Sequence, residues 1–150
     1  MGIEGIDTAA LKRQAEEALN KNQDPEATAA TLGIILKQLA QGLEPFPRFM
    51  GSWDVFGVEA EVERAPRKDL GCIIVKPDGE LAEFSFSFSP PSPSGDQERS
   101  DRAKDSLGLT AQDYIPYAYA GICTLVELYE LKRLGVDITN YDHRLLRQKK

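Results

Sequence analysis

The segment Ala82-Glu83-Phe84-Ser85-Phe86-Ser87-Phe88-Ser89 decides the fold class, because its apolar and polar residues alternate without a fault. A pleated strand turns successive side chains to opposite faces, so Ala82, Phe84, Phe86 and Phe88 share one face and Glu83, Ser85, Ser87 and Ser89 the other. Working back along the chain, Pro77-Asp78-Gly79 reads as a hairpin turn, since proline presets φ at the first corner and glycine accepts the left-handed position. It joins the strand at residues 80–89 to a second at residues 70–76. The turn Ala65-Pro66-Arg67-Lys68-Asp69 joins that one to a first strand starting at Trp53, with Phe56, Val58, Ala60 and Val62 inward and Glu59, Glu61 and Glu63 outward. The expected sheet is a three-stranded antiparallel β-meander with one dry face, and a dry face needs a helical cover. Ala82, Phe84, Phe86 and Phe88 are expected to lie in the interior beneath that cover.

The cover comes from both ends of the chain. Residues 7–21 carry Leu11, Ala15, Ala18 and Leu19 at helical spacing, with Lys12, Arg13, Glu16 and Glu17 turned away. After a break, Asp24 is placed to accept orphan backbone N–H groups and Pro25 fits the first helical position, so a second helix runs on through Leu32, Ile35, Leu36 and Leu39 to Gln41. Gly42 is expected to close it with a positive φ. The two form an N-terminal helical hairpin. Near the other end, Thr110 and Asp113 suggest a capping box, and a short turn is expected before a long C-terminal helix over residues 117–134, packed on one sheet face. Gly135 should end that helix, and Thr139 to Asp142 could cap a last short helix reaching Arg147. The fold class is α+β, one domain over residues 1–150.

Between sheet and final helix, residues 89–107 are rich in Ser, Pro, Asp and Arg and carry no large apolar residue before Leu107. They read as a flexible loop, functional or disordered. Residues 43–51 hold Pro45 and Pro47 between Phe46 and Phe49, which blocks regular structure but leaves side chains to bury, so an ordered crossover is expected.

Composition narrows the chemistry. With 150 residues, 41% hydrophobic and 28% charged, the chain can bury a core without disulfide or metal. A net charge of −6 opposes binding to polyanions, so nucleic acid is not an expected partner, and a reading through the basic residues Arg144, Arg147, Lys149 and Lys150 ranks last. Two cysteines, Cys72 and Cys123, lie far apart in apolar runs, which fits a reduced, cytoplasmic protein better than a disulfide framework. The first residues show no apolar leader pattern, and Glu127, Glu130, Lys132 and Arg133 interrupt the most hydrophobic helix, so no membrane partner is expected.

Catalytic signatures are not found. A single histidine, His143, sits near the basic end, away from either thiol, so nucleophilic triads and metal sites lack their parts. Gly51, Gly57 and Gly71 do not match a phosphate-binding loop. No catalytic residue, metal ligand or cofactor is assigned, and the residues point away from an enzyme. What remains is contact. Phe46, Arg48, Phe49, Met50 and Trp53 have the aromatic, methionine and arginine character of interface centres, with core filling as the alternative. Tyr114, Tyr117 and Tyr119 could rim a pocket, with core packing as the alternative.

The reading is a small cytoplasmic, non-catalytic protein acting through protein–protein contact, as an assembly factor, chaperone-like or regulatory module. Its partner is another protein or a second copy of itself in a homodimer, because a meander leaves unpaired edges. The alternative is a small-molecule binding domain or simple enzyme with its pocket between the sheet and helix 117–134.

Overall fold

The computed structural model describes residues 6–21, 24–52, 54–95 and 97–139. Helices α1 (Thr8–Asn20) and α2 (Pro25–Gly42) come first, then strands β1 (Val58–Glu59), β2 (Cys72–Val75), β3 (Leu81–Phe88) and β4 (Arg99–Lys104), then helix α3 (Ala111–Arg133). The strands form one antiparallel sheet in chain order. The expected α+β class therefore holds, with α3 packed on the sheet, but the sheet has four strands, the fourth drawn from within the stretch read as a flexible loop.

Local chemistry sets the helix ends. Asp7 and Asp24 each accept a backbone N–H three residues on, from Ala10 at 3.0 Å and Ala27 at 2.8 Å, and Pro25 takes the first helical position of α2. Gly42 is the last residue of α2 rather than a left-handed stop, and what it supplies is space: a Cβ there would stand 2.7 Å from the Tyr129 hydroxyl oxygen. Thr110 caps α3 by accepting from the Asp113 N–H at 3.1 Å, and α3 starts directly at Ala111, without the separate turn expected before Pro116. Pro116 lies inside α3, where its missing N–H deprives the carbonyl of Gln112 of its usual helical donor. Gln112 is exposed, so water can satisfy that group. At the far end, Gly135 at φ 89° donates to the Lys132 carbonyl and Val136 to that of Leu131, the paired bonds of a Schellman stop. The short helix expected from Thr139 onward falls outside the described residues.

Helix α3 is the centre of the main core. Ile122, Leu125, Leu128 and Tyr129 are fully buried against Leu32, Leu36 and Leu39 of α2 and against Val58 and Val75 of the sheet. The Tyr129 hydroxyl donates to the Leu39 carbonyl at 2.7 Å, satisfying a buried polar group. Close approach is needed at Gly121, where a Cβ would stand 2.6 Å from Val75 Cγ2 and 3.2 Å from Leu36 Cδ1.

The face of the sheet that meets the helices is not the one expected. Ile73, Val75 and Leu81 point to α2 and α3, while Ile74, Ala82 and Phe84 point the other way and join Phe49 and Val55 in a second, smaller core. Ala82 and Phe84 are buried as expected, but beneath the crossover rather than beneath α3. Phe86 and Phe88 are each 56% exposed. Alternation marks two faces without saying which one a helix will take, and β2, buried on both sides, serves both. The first strand is also shorter than expected: Val58 and Ala60 are buried, but Phe56 makes only an isolated bridge to Arg48 and remains 38% exposed.

One hairpin turn and the crossover form as expected. Gly79 takes φ 86° at the Pro77-Asp78-Gly79 turn and donates to the Lys76 carbonyl at 2.8 Å. The crossover is ordered by bonds from Arg48 N–H to the Thr139 carbonyl at 2.8 Å and from Gly57 N–H to the Pro47 carbonyl at 3.0 Å.

The contact at Gly121 gives a direct test. Gly121→Ala should lower stability by about 1–2 kcal/mol despite alanine's better helix propensity, because Val75 is branched at Cβ and cannot swing aside. A urea titration measures it, and an unchanged or raised midpoint would refute the packing described.

Candidate interaction face

Strands β3 and β4 continue past the region that the helices and the crossover cover. Their register places Phe84 opposite Ala103, Phe86 opposite Asp101 and Phe88 opposite Arg99 on one face, and Glu83 opposite Lys104, Ser85 opposite Arg102 and Ser87 opposite Ser100 on the other. One face of this ribbon is therefore aromatic and the other wholly polar.

The aromatic face is a continuous row of rings. Phe49 from the crossover meets Phe84 edge-on at 4.8 Å between centroids, Phe84 lies 6.4 Å from Phe86, and Phe86 lies 5.8 Å from Phe88 at 82°. Edge-to-face pairs of this kind add to the gain from burial alone. The row is buried at the Phe49 end and open to water at Phe86 and Phe88. Arg99 lies over the Phe86 ring at 5.0 Å, and its Nε contacts Asp101 Oδ1 at 2.6 Å. The Asp101 side chain is only 8% exposed. Burial pushes its carboxyl up, but hydrogen bonds from Ser52 and Arg99 outweigh it and hold the carboxyl below the usual range. Asp101 thereby ties the β4 edge to the crossover. The Ser52 hydroxyl is itself buried and accepts the N–H groups of Asp54 and Val55 at 3.1 and 3.0 Å.

The residues expected at a contact surface divide. Phe46 and Phe49 are inside, taking the core-filling alternative. Met50 is 46% exposed and adopts φ 50°, a left-handed conformation costing a methionine on the order of 1–2 kcal/mol. Arg48 is half-buried, with its guanidinium 5.2 Å from the centre of the Phe56 ring. Trp53 lies outside the described residues. A shallow groove of about 330 Å³ runs beside this segment between Phe56, Lys76, Asp101 and Ala103.

The three tyrosines do not converge. Tyr114 packs beside Gly33 of α2, the buried Tyr117 directs its hydroxyl to the Arg67 carbonyl at 3.5 Å, and Tyr119 donates to Glu16 of α1 at 3.2 Å. Burial raises the phenol of Tyr129 to about 12, and those of Tyr114 and Tyr119 are also raised, first by burial. The Cys72 thiol is likewise pushed up to about 12, by burial and then by Glu59, so it is held protonated rather than reactive. Both Cys72 and Cys123 are free thiols. Among the described residues no group of three or more His, Cys, Asp or Glu side chains could hold a metal, and no helix is long and apolar enough to cross a membrane. His143 lies outside the described residues.

Sequence reasoning missed β4 because it alternates charge with charge, Arg99, Asp101 and Ala103 against Ser100, Arg102 and Lys104, so no apolar period marks it. The opposing signs at Glu83 and Lys104 were its only trace.

The lowered Asp101 carboxyl predicts a pH dependence. Its folded value lies below the unfolded one, so it stabilises the fold fully above pH ~4 and that contribution is lost as the pH falls below it. Thermal melts of the wild type and of Asp101→Asn should differ most near pH 6 and converge as the pH falls through the lowered folded value of the carboxyl; a constant gap would show that the carboxylate charge has no part. Searches found no family model, no curated protein and no solved structure that matches this chain.

Proposed function

We propose that this protein acts without catalysis, by contact with another protein, and that the contact is made by the aromatic face of the β3–β4 ribbon. The observation behind this reading is the ring row itself: Phe86 and Phe88 stand 56% exposed on a rigid ladder, continuous with the buried Phe84 and Phe49. Exposed aromatics held by a strand lose little freedom on binding, and with Arg99 beside them they have the composition of an interface centre. Met50 and Phe56, 46% and 38% exposed, add apolar surface in and just after the crossover. Completing the burial of each ring is worth on the order of 1 kcal/mol. A cytoplasmic setting suits the two free thiols.

The small-molecule alternative placed its pocket between sheet and helix. That interface is filled at Gly121, where Val75 and Leu36 leave no room for a single methyl group.

The test is a paired variant. Phe86→Ser with Phe88→Ser should fold with nearly unchanged melting temperature, because both rings are largely exposed, and should lose the proteins that the immobilised wild type retains from lysate. Equal retention by both chains, or loss of the fold in the variant, would overturn the reading.

A further inference from the structure

We propose that two copies of this chain join their sheets edge to edge through β4, in the antiparallel register centred on Ser100. The inference concerns the sheet edge rather than the aromatic face, and it stands whether or not the reading of that face is right.

The backbone of β4 has one open side. Ser89 N–H donates to the Glu98 carbonyl at 2.8 Å, which fixes the phase of the β3–β4 ladder. In an antiparallel pair, hydrogen-bonded and non-hydrogen-bonded positions alternate. Ser100, Arg102 and Lys104 therefore bond to β3, and the N–H and carbonyl groups of Arg99, Asp101 and Ala103 point outward. Among the described residues no backbone bond reaches those outward groups. The opposite edge, β1, is only two residues long and offers little ladder.

Charged side chains on an edge strand usually keep copies apart, because like charges are set opposite one another. Whether they do so here depends on register. Two strands related by a two-fold axis keep their faces aligned only when the axis passes through a residue position, so each register is named by its central residue. Centred on Arg99, Asp101 or Arg102, that charge meets its own copy. Centred on Ala103, Arg102 meets Lys104 of the second copy. Centred on Ser100, Arg99 stands opposite Asp101 of the second copy and Glu98 opposite Arg102, each twice by symmetry, and serine meets serine at the axis. Of the five centres from Arg99 to Ala103, Ser100 alone opposes no like charges, so the strand is complementary to itself in that register and repels itself in the others. There Arg99 and Asp101 of the second copy also exchange both of their outward backbone bonds, and Ala103 does so with Gln97. The axis stands perpendicular to the joined sheet, so the exposed rings of both copies come to lie on one face.

The experiment uses the full chain and charge exchange on the polar face, where Glu98 and Arg102 are exposed and Arg102 faces only Ser85 within its own copy. Sedimentation velocity over a concentration series should show a dimer for the wild type. Glu98→Lys alone and Arg102→Glu alone each set like charges opposite one another twice and should raise the dimer dissociation constant about tenfold. The double exchange keeps the net charge at −6 and restores opposite signs, so it should dimerise within about threefold of wild type. A wild type that stays monomeric, or a double exchange as weak as the singles, or a dimer indifferent to all three overturns the proposal. The Phe86→Ser, Phe88→Ser chain should dimerise as wild type does, which separates failure here from failure of the aromatic face.

Discussion

The structure depends on β2 being buried on both sides. Ile73 and Val75 close the main core under α2 and α3, while Ile74, between them in sequence, closes the second core under the crossover. A strand in that position must be apolar at every residue, and Cys72-Ile73-Ile74-Val75 is. Everything outward from β2 is a question of how far each cover reaches. The helices reach Leu81 on one face, and the crossover reaches Phe84 on the other.

The crossover is short, and its shape is set by polar bonds. Ser52 folds back on Asp54 and Val55, Phe49 N–H reaches the Val55 carbonyl at 3.0 Å, and Asp101 meets Ser52 from the sheet side. This loop covers one aromatic position of β3 and stops. The next two positions keep the same residue type with no cover, so the row of phenylalanines passes from core to surface without a change in sequence pattern. Core packing and candidate surface are thus one continuous feature, and the buried end holds the exposed end in place.

That continuity explains what sequence could and could not show. Helix ends were legible at Asp24, Pro25 and Gly135 because each signal is a bond between a side chain, or a special backbone, and its near neighbours, whereas at Thr110 the cap was legible but Pro116 misplaced the helix start. The Pro77-Asp78-Gly79 hairpin was legible for the same reason. The facing of β3 was not, since a period of two separates faces and says nothing of which one a helix occupies. The exposure of Phe86 and Phe88 was invisible for a related reason: an alternating pattern carries no mark of where its cover ends. Residues 46–50 were legible as apolar and irregular, yet only the fold sorts Phe46 and Phe49 inward from Met50 outward. Tyr114, Tyr117 and Tyr119 share a helix but meet α2, the turn at Arg67 and α1 in turn: Tyr117 and Tyr119, two apart, face different sides, and Tyr114, a turn before Tyr117, reaches a different partner along the helix axis.

Strand β4 is the case where pattern failed entirely and physics still accounts for the result. None of its side chains contributes a large apolar group, so its place rests on backbone bonds to β3 and on cross-strand contacts. Arg99 does three things there: it pairs with Asp101, lies over Phe86 and stands opposite Phe88. A guanidinium can do so because its planar face suits a ring while its edge suits a carboxylate. Lysine would keep the charge and lose the stacking and the directed bond together. The strand that looks least like a strand is therefore held by its backbone ladder to β3, with the same arginine that flanks the exposed rings adding a side-chain tie across it.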